Sequence, residues 1–283
     1  MNGVKIITDS TCDLSLETLK QLDIEMLPLN VIIGGETYKD CIDLNTKKLF
    51  ELVEEKKELP KTSAISIGDF FEVFKKYVDE GFDIIFMGID SKISSTFATA
   101  LSVSKEFPDR VYALDSVNLS SAIGLQLLKM AKMRDNGLSA KEIVDKILEI
   151  TPKVQCSFVI KTMDYLYKGG RCSGMKYFAG KILHIHPIIR MENGELIVHR
   201  TPRGKMYKAL DVMINEFKAV YEAGNVDLDH VMITHACADE YCEYVFNRLS
   251  EFMDSSIIMC TTAGCVIGAH CGPGTIGILY ISK

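Results

Sequence analysis

The sequence lacks the motifs of the commonest nucleotide and serine-hydrolase sites. No GxxxxGK[ST] string occurs, which argues against a P-loop, and no GxSxG string occurs, which argues against a nucleophile elbow. Residues 272–277 match GxGxxG as a string. Only six residues follow Gly277, so there is no following helix and no acidic residue to hold a ribose. A dinucleotide site is therefore not expected.

The cysteines show no CxxC spacing, and the chain has no excess of basic charge. Nine cysteines, an odd number in a chain of 283 residues, predict reduced thiols in a cytoplasmic protein rather than a disulfide framework. The net charge of −6 argues against a broad nucleic-acid or anionic-membrane surface. No uninterrupted run of eighteen apolar residues occurs, and the N-terminus resembles neither a signal peptide nor an anchor, so no integral membrane association is expected.

The composition is that of a globular protein, with 47% hydrophobic and 25% charged residues. In the first half, apolar runs at 4–8, 82–88 and 111–114 alternate with helical stretches, which is typical of a parallel sheet. Residues 24–33 also form a predicted strand, with Pro28 at an edge or a bulge. We predict an α/β fold whose N-terminal domain, residues 1–152, has three layers around a parallel sheet.

The second half has a different pattern. Asn193-Gly194 between the apolar runs 181–190 and 195–201 predicts a hairpin, and further strands alternate with two long helices. This mixture predicts a C-terminal two-layer α+β domain with a mixed sheet, residues 153–283. A protein of two such domains usually binds its ligand between them.

Short polar residues follow three predicted strands of the first half, as Asp9-Ser10, Asp90-Ser91 and Asp115-Ser116. The carboxyl ends of parallel strands share one edge of the sheet, so these pairs predict a rim facing a common crevice. The alternative is that they only cap helices, as the pairs Ser10 with Asp13, Ser66 with Asp69 and Ser139 with Glu142 suggest.

The candidate binding residues are polar side chains in loops and at helix starts. Ser94 and Ser95 begin a predicted helix, where free N–H groups favour an anion, although capping alone would also explain them. His270 precedes the sharp turn Gly272-Pro273-Gly274. The remaining candidates lie in the polar loop 60–64 and after two glycines: Thr62, Ser63 and Arg171.

His184 and His186 lie two residues apart in a predicted strand, and such a pair can bind zinc. No well-spaced third ligand accompanies them. We therefore interpret them as ordinary strand histidines and expect no metal.

Several blocks, in their order along the chain, make the sequence resemble the DegV family of bacterial fatty-acid-binding proteins over essentially its full length. The blocks are residues 7–11 (ITDST), 61–63 (KTS), 93–96 (ISST), 115–116 (DS), 167–171 (YKGGR) and 267–274 (IGAHCGPG). The resemblance implies two α/β domains with a long-chain fatty acid between them.

The resemblance also implies a function. Such a protein is a carrier without cofactor or catalytic residues, and it presents the fatty-acid carboxyl to a separate fatty-acid kinase that makes acyl phosphate for phospholipid synthesis. Arg200 and Arg203 lie in the region that resembles the kinase-facing surface. The residues expected around the carboxyl are Thr62, Ser63, Ser94, Ser95, Arg171, His270 and Cys271.

The sequence departs from the family pattern at three places. Ala64-Ile65-Ser66 replaces a common Gln-Pro-Ser, Ser95 replaces a glycine, and Cys271 replaces a hydroxyl residue.

The alternative function is a small-molecule hydrolase or transferase that uses His270 with Ser94.

Overall fold

The computed structural model describes residues 2–172 and 185–283. The first half contains a four-stranded, all-parallel sheet in the order β2-β1-β6-β7 and a three-stranded antiparallel sheet in the order β4-β3-β5. The strands are β1 Val4–Asp9, β2 Ile24–Leu27, β3 Asn30–Ile33, β4 Glu36–Lys39, β5 Lys61–Ser63, β6 Asp83–Gly88 and β7 Val111–Asp115. The helices are α1 Leu16–Gln21, α2 Thr46–Lys56, α3 Ile67–Asp79, α4 Thr96–Ser104, α5 Ser121–Asp135 and α6 Ala140–Ile150.

The second half contains a six-stranded mixed sheet in the order β10-β9-β8-β13-β11-β12. The pair β11–β12 is parallel and the other pairs are antiparallel. The strands are β8 Val154–Val159, β9 Ile188–Glu192, β10 Glu195–Arg200, β11 Val226–Ala236, β12 Ile258–Thr262 and β13 Thr275–Ser282. The helices are α7 Asp164–Gly169, α8 Met206–Glu222, α9 Asp239–Ser250 and α10 Cys265–Cys271.

The predicted fold class is therefore confirmed, with a parallel sheet in the first half and a mixed sheet in the second. At residue 152 the chain passes through a short turn, Thr151–Lys153, and enters the second sheet at β8. The division into domains 1–152 and 153–283 remains a prediction. Part of the first predicted hairpin strand, 181–190, lies outside the described residues; β9 and β10 flank Asn193-Gly194 as expected.

Helix α5 joins the two halves. It contacts β1 and β6 of the parallel sheet as well as β11 and β13 of the mixed sheet. Because both sides of the helix are covered, apolar residues surround it rather than forming a single stripe, and Ile123, Leu127 and Met130 are fully buried. One hydrophobic cluster consequently runs from the parallel sheet of the first half into the mixed sheet of the second.

Three local predictions were wrong. The strand predicted at 24–33 is broken at Pro28, which has no N–H to donate; β2 stays in the parallel sheet and β3 leaves it. The loop at 60–64 contains β5, in which Thr62 pairs with Val31. Ser10 and Asp13 do not cap a helix. Asp9 caps the short turn Ser10–Cys12 and Ser15 caps α1, whereas the caps at Ser66 and Ser139 are confirmed.

Buried carboxyl groups attach α10 to the first half. Asp13 Oδ1 accepts the N–H of Gly264 at 2.8 Å, and Asp40 Oδ1 accepts the N–H of Cys265 at 2.7 Å. Both carboxyls are almost inaccessible to solvent. Burial raises the pKa of Asp13 to about 8 and also raises that of Asp40. These bonds satisfy N–H groups that the start of a helix leaves without partners and fix α10 relative to β1 and β4.

Asp13→Asn should flatten the dependence of stability on pH. Folded Asp13 keeps its proton up to a pH of about 8, whereas a free aspartate loses it near 3.8, so the free energy of unfolding falls as pH rises through this interval. Asparagine cannot titrate, and its amide can donate to Ser120 Oγ, which lies 2.5 Å from Asp13 Oδ2. Urea unfolding across this range should show the slope reduced by up to about 1.4 kcal/mol per pH unit.

The matched control is Asp145→Asn, because Asp145 is exposed on α6. It should leave the pH profile of unfolding unchanged. Equal slopes for Asp13→Asn and the unmodified chain would show that Asp13 is ionised in the folded state.

Candidate functional site

A cavity of about 270 Å³ lies where β5, the start of α4, the loop after α7 and α10 meet. One part of its wall is polar and includes Thr62, Ser94 and His270. The rest is almost entirely aliphatic. The apolar lining residues are Leu29, Ala64, Ile89, Ile93, Leu119, Leu166, Leu196, Val266 and Ile267.

Thr62 and His270 meet in the polar part of the wall. Thr62 Oγ1 lies 2.9 Å from His270 Nε2, although the two residues are 208 positions apart. The pairing of β5 with β3 places Thr62, and the attachment of α10 at Gly264 and Cys265 places His270. The hydrogen bond therefore depends on long-range packing at both of its ends.

The imidazole of His270 is neutral. Burial, with a further contribution from the nearby charge of Arg171, lowers the pKa of His270 to about 4. Its Nδ1 atom is buried and has no hydrogen-bond partner among the described residues. Gly169 packs so closely against Nδ1 that a Cβ at this position would lie 2.6 Å from it. A neutral imidazole of this kind can donate one hydrogen bond and accept another without carrying charge.

Ser94 and Ser95 lie where α4 begins. Ser94, which precedes the N-cap residue, accepts the N–H of Thr96 on its Oγ at 3.2 Å and also lines the cavity. Ser95 is the N-cap residue and makes no side-chain capping bond. The first turn of a helix presents N–H groups that have no partner within the helix. An anion in the cavity can therefore meet both a hydroxyl and the positive end of the α4 dipole.

Arg171, Ser63 and Cys271 complete the polar wall. The exposed guanidinium of Arg171 donates to the carbonyls of Ile93 and Gly169, which ties the loop after α7 to the loop before α4. Ser63 Oγ accepts from Asn30 Nδ2. Cys271 is buried, and burial raises the pKa of its thiol to about 12, so it is not a thiolate nucleophile.

The apolar space continues beyond this cavity. A smaller cavity of about 20 Å³ adjoins it and shares the walls Leu119, Ile267 and Cys271. It lies on the face of the mixed sheet that packs against α5, where Phe158 and Leu279 line it. The polar wall therefore opens onto an increasingly apolar interior between the two sheets.

The predicted rim of strand ends is only partly correct. Strands β1, β6 and β7 are parallel neighbours, so their carboxyl ends do share one edge. Asp9, however, accepts the N–H of Ile89, Ser10 donates to Asp40, and Asp115 accepts the N–H of Ser91. Hence the rim residues support the loops of the site, and none of them lines the 270 Å³ cavity.

The two arginines predicted to face a partner, Arg200 and Arg203, do not line the cavity. Arg200, at the end of β10, forms a 2.5 Å ion pair with Glu216 of α8, which also contacts Arg190 and His199. Arg203 is exposed, and its backbone bridges to Ile185. Their role toward a partner stays a prediction.

The residues of the enzymatic alternative do not meet. His270 Nε2 contacts Thr62, and Ser94 Oγ contacts Thr96, so no hydrogen bond joins Ser94 to His270. Across residues 2–172 and 185–283, no carboxylate bonds to His270 Nδ1 as a triad would require. The described residues therefore show neither a hydrogen-bonded Ser94–His270 pair nor a carboxylate that orients His270.

The described parts of the chain, 2–172 and 185–283, contain neither a metal-ligand cluster nor a membrane-spanning helix. No group of three or more His, Cys, Asp or Glu side chains there could hold a metal ion. His184, one half of the HxH pair, lies outside the described residues. No described helix is both long enough and apolar enough to cross a membrane.

The sequence did not reveal the aliphatic wall or the role of Gly169. Leu29, Leu119, Leu166 and Leu196 come from four separate segments, and each would fit an ordinary core position equally well. The Gly169-Gly170 pair was visible, but its contact with His270 spans a hundred residues and has no sequence pattern.

His270 should remain neutral across the physiological pH range. An ordinary histidine titrates near 6.5, whereas His270 should not protonate until the pH approaches about 4, because its charged form would be buried beside Arg171. The imidazole resonances can be followed by NMR, with His270→Gln identifying the signal. An inflection near 6.5 for that signal would contradict the described site.

Sequence and structure comparisons place these features among known proteins. The model of one protein family, described as uncharacterised proteins of the DegV family, matches residues 3–283. A DegV domain-containing protein of Clostridium acetobutylicum is 34% identical over 285 residues, covering 100% of both chains. Another from Caldanaerobacter subterraneus is 31% identical over 289 residues, again covering 100% of both.

Solved structures agree with these sequence matches. A DegV family protein of Thermus thermophilus, described as binding fatty acid, superposes with a TM-score of 0.91 at 25% identity, covering 100% of both chains. DegV of Bacillus subtilis, a fatty-acid-binding protein, gives 0.89 at 28% identity with the same coverage. A stearic-acid-binding protein of Eubacterium ventriosum gives 0.87 at 27% identity, covering 99% of this chain and 98% of that one.

Proposed function

The chain belongs to the DegV family, and we propose that it binds a long-chain fatty acid in the 270 Å³ cavity and presents the carboxyl group to a separate fatty-acid kinase. In this proposal the protein is a cytoplasmic carrier that supplies phospholipid synthesis. The ligand lies between the N-terminal domain, 1–152, and the C-terminal domain, 153–283. The observation that carries the proposal is a cavity with one polar wall and an aliphatic interior.

The polar wall suits a carboxyl group. Thr62 and Ser94 offer hydroxyl donors, and the start of α4 adds backbone N–H groups beside Ser95. When His270 Nε2–H donates to Thr62 Oγ1, the Thr62 hydroxyl proton is left for the carboxyl group. A buried carboxylate must keep its hydrogen bonds, and several neutral donors supply them. Ser63, Arg171 and Cys271 border the same space and complete the proposed carboxyl site.

The aliphatic interior supplies the affinity. A C16 to C18 acid buries about fourteen methylenes, worth roughly 11 kcal/mol in total at ~0.8 kcal/mol each. The association cost of several kcal/mol reduces this figure but leaves tight binding. The polar wall therefore needs only to orient the carboxyl group.

Presentation to a kinase requires a reactive carboxylate oxygen. Donors without net charge, such as the hydroxyl of Thr62 backed by the neutral imidazole of His270, orient the carboxylate without fully neutralising it. The oxygen can then attack the γ-phosphorus of ATP held by the kinase, giving acyl phosphate and ADP. In this proposal Arg200 and Arg203 contact the kinase.

Thr62→Val and Ser94→Ala should each weaken binding of palmitate about tenfold, the scale of one lost hydrogen bond to a charged group. The apolar tail site is untouched, so binding should persist at reduced affinity. Displacement of a fluorescent fatty acid measures the change.

Matched controls lie on α4. Thr99→Val and Ser102→Ala each alter a hydroxyl of the helix that follows Ser94, and neither residue lines the cavity. The two controls should bind palmitate as the unmodified chain does. If Thr62→Val and Ser94→Ala also bind it with unchanged affinity, the carboxyl group does not lie at this wall.

Arg203→Ala should impair transfer to the kinase without affecting fatty-acid binding. The exposed guanidinium lies outside the cavity, and loss of one solvent-exposed charge contact should raise the KM of a bacterial fatty-acid kinase for the loaded carrier about fivefold. Trapping the acyl phosphate with hydroxylamine measures the rate. Arg200 is a poorer test because its ion pair with Glu216 supports α8.

The control for this test is Lys153→Ala, since Lys153 is also an exposed cation of the second half. Equal KM values for the two variants would remove Arg203 from the proposed kinase contact. Absence of acyl phosphate from the unmodified chain with every kinase tried would reject the presentation role, while palmitate binding would still stand.

A further inference from the structure

A second large cavity, of about 230 Å³, lies on the other face of the mixed sheet, between the sheet and α8. Successive residues of a strand point to opposite faces, so Phe158 and Leu279 pack toward α5, whereas Ser157, Ile278 and Tyr280 face α8. The cavity shares no lining residue with the 270 Å³ cavity. The side chains of α8 that cover it lie on one side of that helix: Met213, Glu216, Phe217 and Val220.

The sheet side of this cavity is polar, although a helix usually packs on apolar side chains. Gln155 and Ser157 of β8 and Arg190 of β9 line it. Ser157 pairs directly with Arg190, and Gln155 pairs with Tyr280 of β13, so the four side chains are cross-strand neighbours. Val159, two residues beyond Ser157 on the same face, belongs instead to the apolar cluster with α8. The polar character is therefore confined to the cavity.

The carboxylate of Glu216 in this cavity is already occupied by cationic partners. Arg190 Nη2 donates to Oε2 at 2.7 Å, while Arg200 Nε lies 2.5 Å and His199 Nε2 lies 3.1 Å from Oε1. Two guanidinium charges thus surround one carboxylate, which leaves one positive charge in excess. Glu192, the other carboxylate of the lining, is exposed to solvent, where water and salt screen its charge.

The hydrogen-bonding capacity that remains in the cavity is mainly that of donors. Ser157 Oγ is buried and has no hydrogen-bond partner among residues 2–172 and 185–283. Arg190 uses Nη2 toward Glu216, so its Nε and Nη1 atoms can donate to a second anion. The hydroxyl of Tyr280 adds a further donor. A group that accepts several hydrogen bonds and carries one negative charge fits this set of donors.

We propose that this cavity is a second ligand site, which binds a small organic carboxylate with an aromatic body. The carboxylate accepts hydrogen bonds from Arg190, Ser157 and Tyr280. One positive charge in excess matches a carboxylate better than a phosphate, which carries up to two negative charges near neutral pH. The proposal does not depend on fatty-acid binding, because the two cavities have separate linings.

The apolar part of the wall determines the size and shape of the ligand. The rings of Phe217 and Tyr280 lie 5.0 Å apart between centroids and are strongly inclined to each other, which leaves an aromatic surface beside Met213 and Ile278. The volume is below the roughly 300–1,000 Å³ of sites for drug-sized ligands. A compact ring with a short carboxylate arm therefore fits, and a C16 chain does not.

Phenylacetate is the probe, because it joins one carboxylate to one aromatic ring. Isothermal titration calorimetry of the full chain should show one phenylacetate bound per chain, and saturating palmitate should not displace it. Phenylacetamide lacks the charge and acetate lacks the ring, so each should bind at least about tenfold more weakly. Phenyl phosphate tests the other anion, and tighter binding of this compound than of phenylacetate would reject a carboxylate site.

Ser157→Ala should weaken phenylacetate binding about tenfold, the scale of one hydrogen bond to a charged group. Arg190→Gln should abolish measurable binding. The matched control is Arg200→Gln, because it removes the other arginine bonded to Glu216 but does not line the cavity. It should bind phenylacetate as the unmodified chain does.

Three results would overturn the proposal: no binding of phenylacetate to the unmodified chain, its displacement by palmitate, or unchanged affinity in Ser157→Ala. Thermal unfolding followed by circular dichroism verifies that each variant is folded. Ser157→Ala keeps the test decisive if Arg190→Gln is unstable, since it removes a hydroxyl that bonds to no described residue.

Discussion

The site depends on one constraint, which is that the carboxyl groups of Asp13 and Asp40 are buried and must be hydrogen-bonded. They obtain their partners from Gly264 and Cys265, at the start of α10. Because these bonds leave α10 little freedom, His270 at its other end reaches Thr62 of β5. The polar wall of the cavity thus depends on the hydrogen bonds that Asp13 and Asp40 accept at the opposite end of α10.

The same arrangement explains the electrostatic character of the site. Burial and the nearby charge of Arg171 lower the pKa of His270, and this keeps its imidazole neutral. Helix α5, covered on both sides, closes the interior behind the cavity and joins the two sheets into one core. A neutral polar wall in front of an aliphatic interior matches an amphipathic ligand with one small head group.

Sequence patterns predicted the elements whose signals are local. The buried strand at 83–88, the caps at Ser66 and Ser139 and the turn at Asn193-Gly194 each depend on a few adjacent residues, and all are present. The strand Lys61–Ser63 was missed because only its pairing with β3 makes it a strand. Likewise Ser10 and Asp13 fit a capping pattern, but distant partners determine their hydrogen bonds.

For the site, helix starts and the family resemblance indicated polar residues that the structure brings to one wall. The aliphatic wall could not be predicted, since its leucines come from elements whose packing no local pattern specifies. The most direct measurement is extraction of the purified protein with organic solvent, followed by mass spectrometry of the extract. The account predicts close to one C16 to C18 fatty acid per chain. Protein that carries none, and that takes up no palmitate when it is supplied, would contradict it.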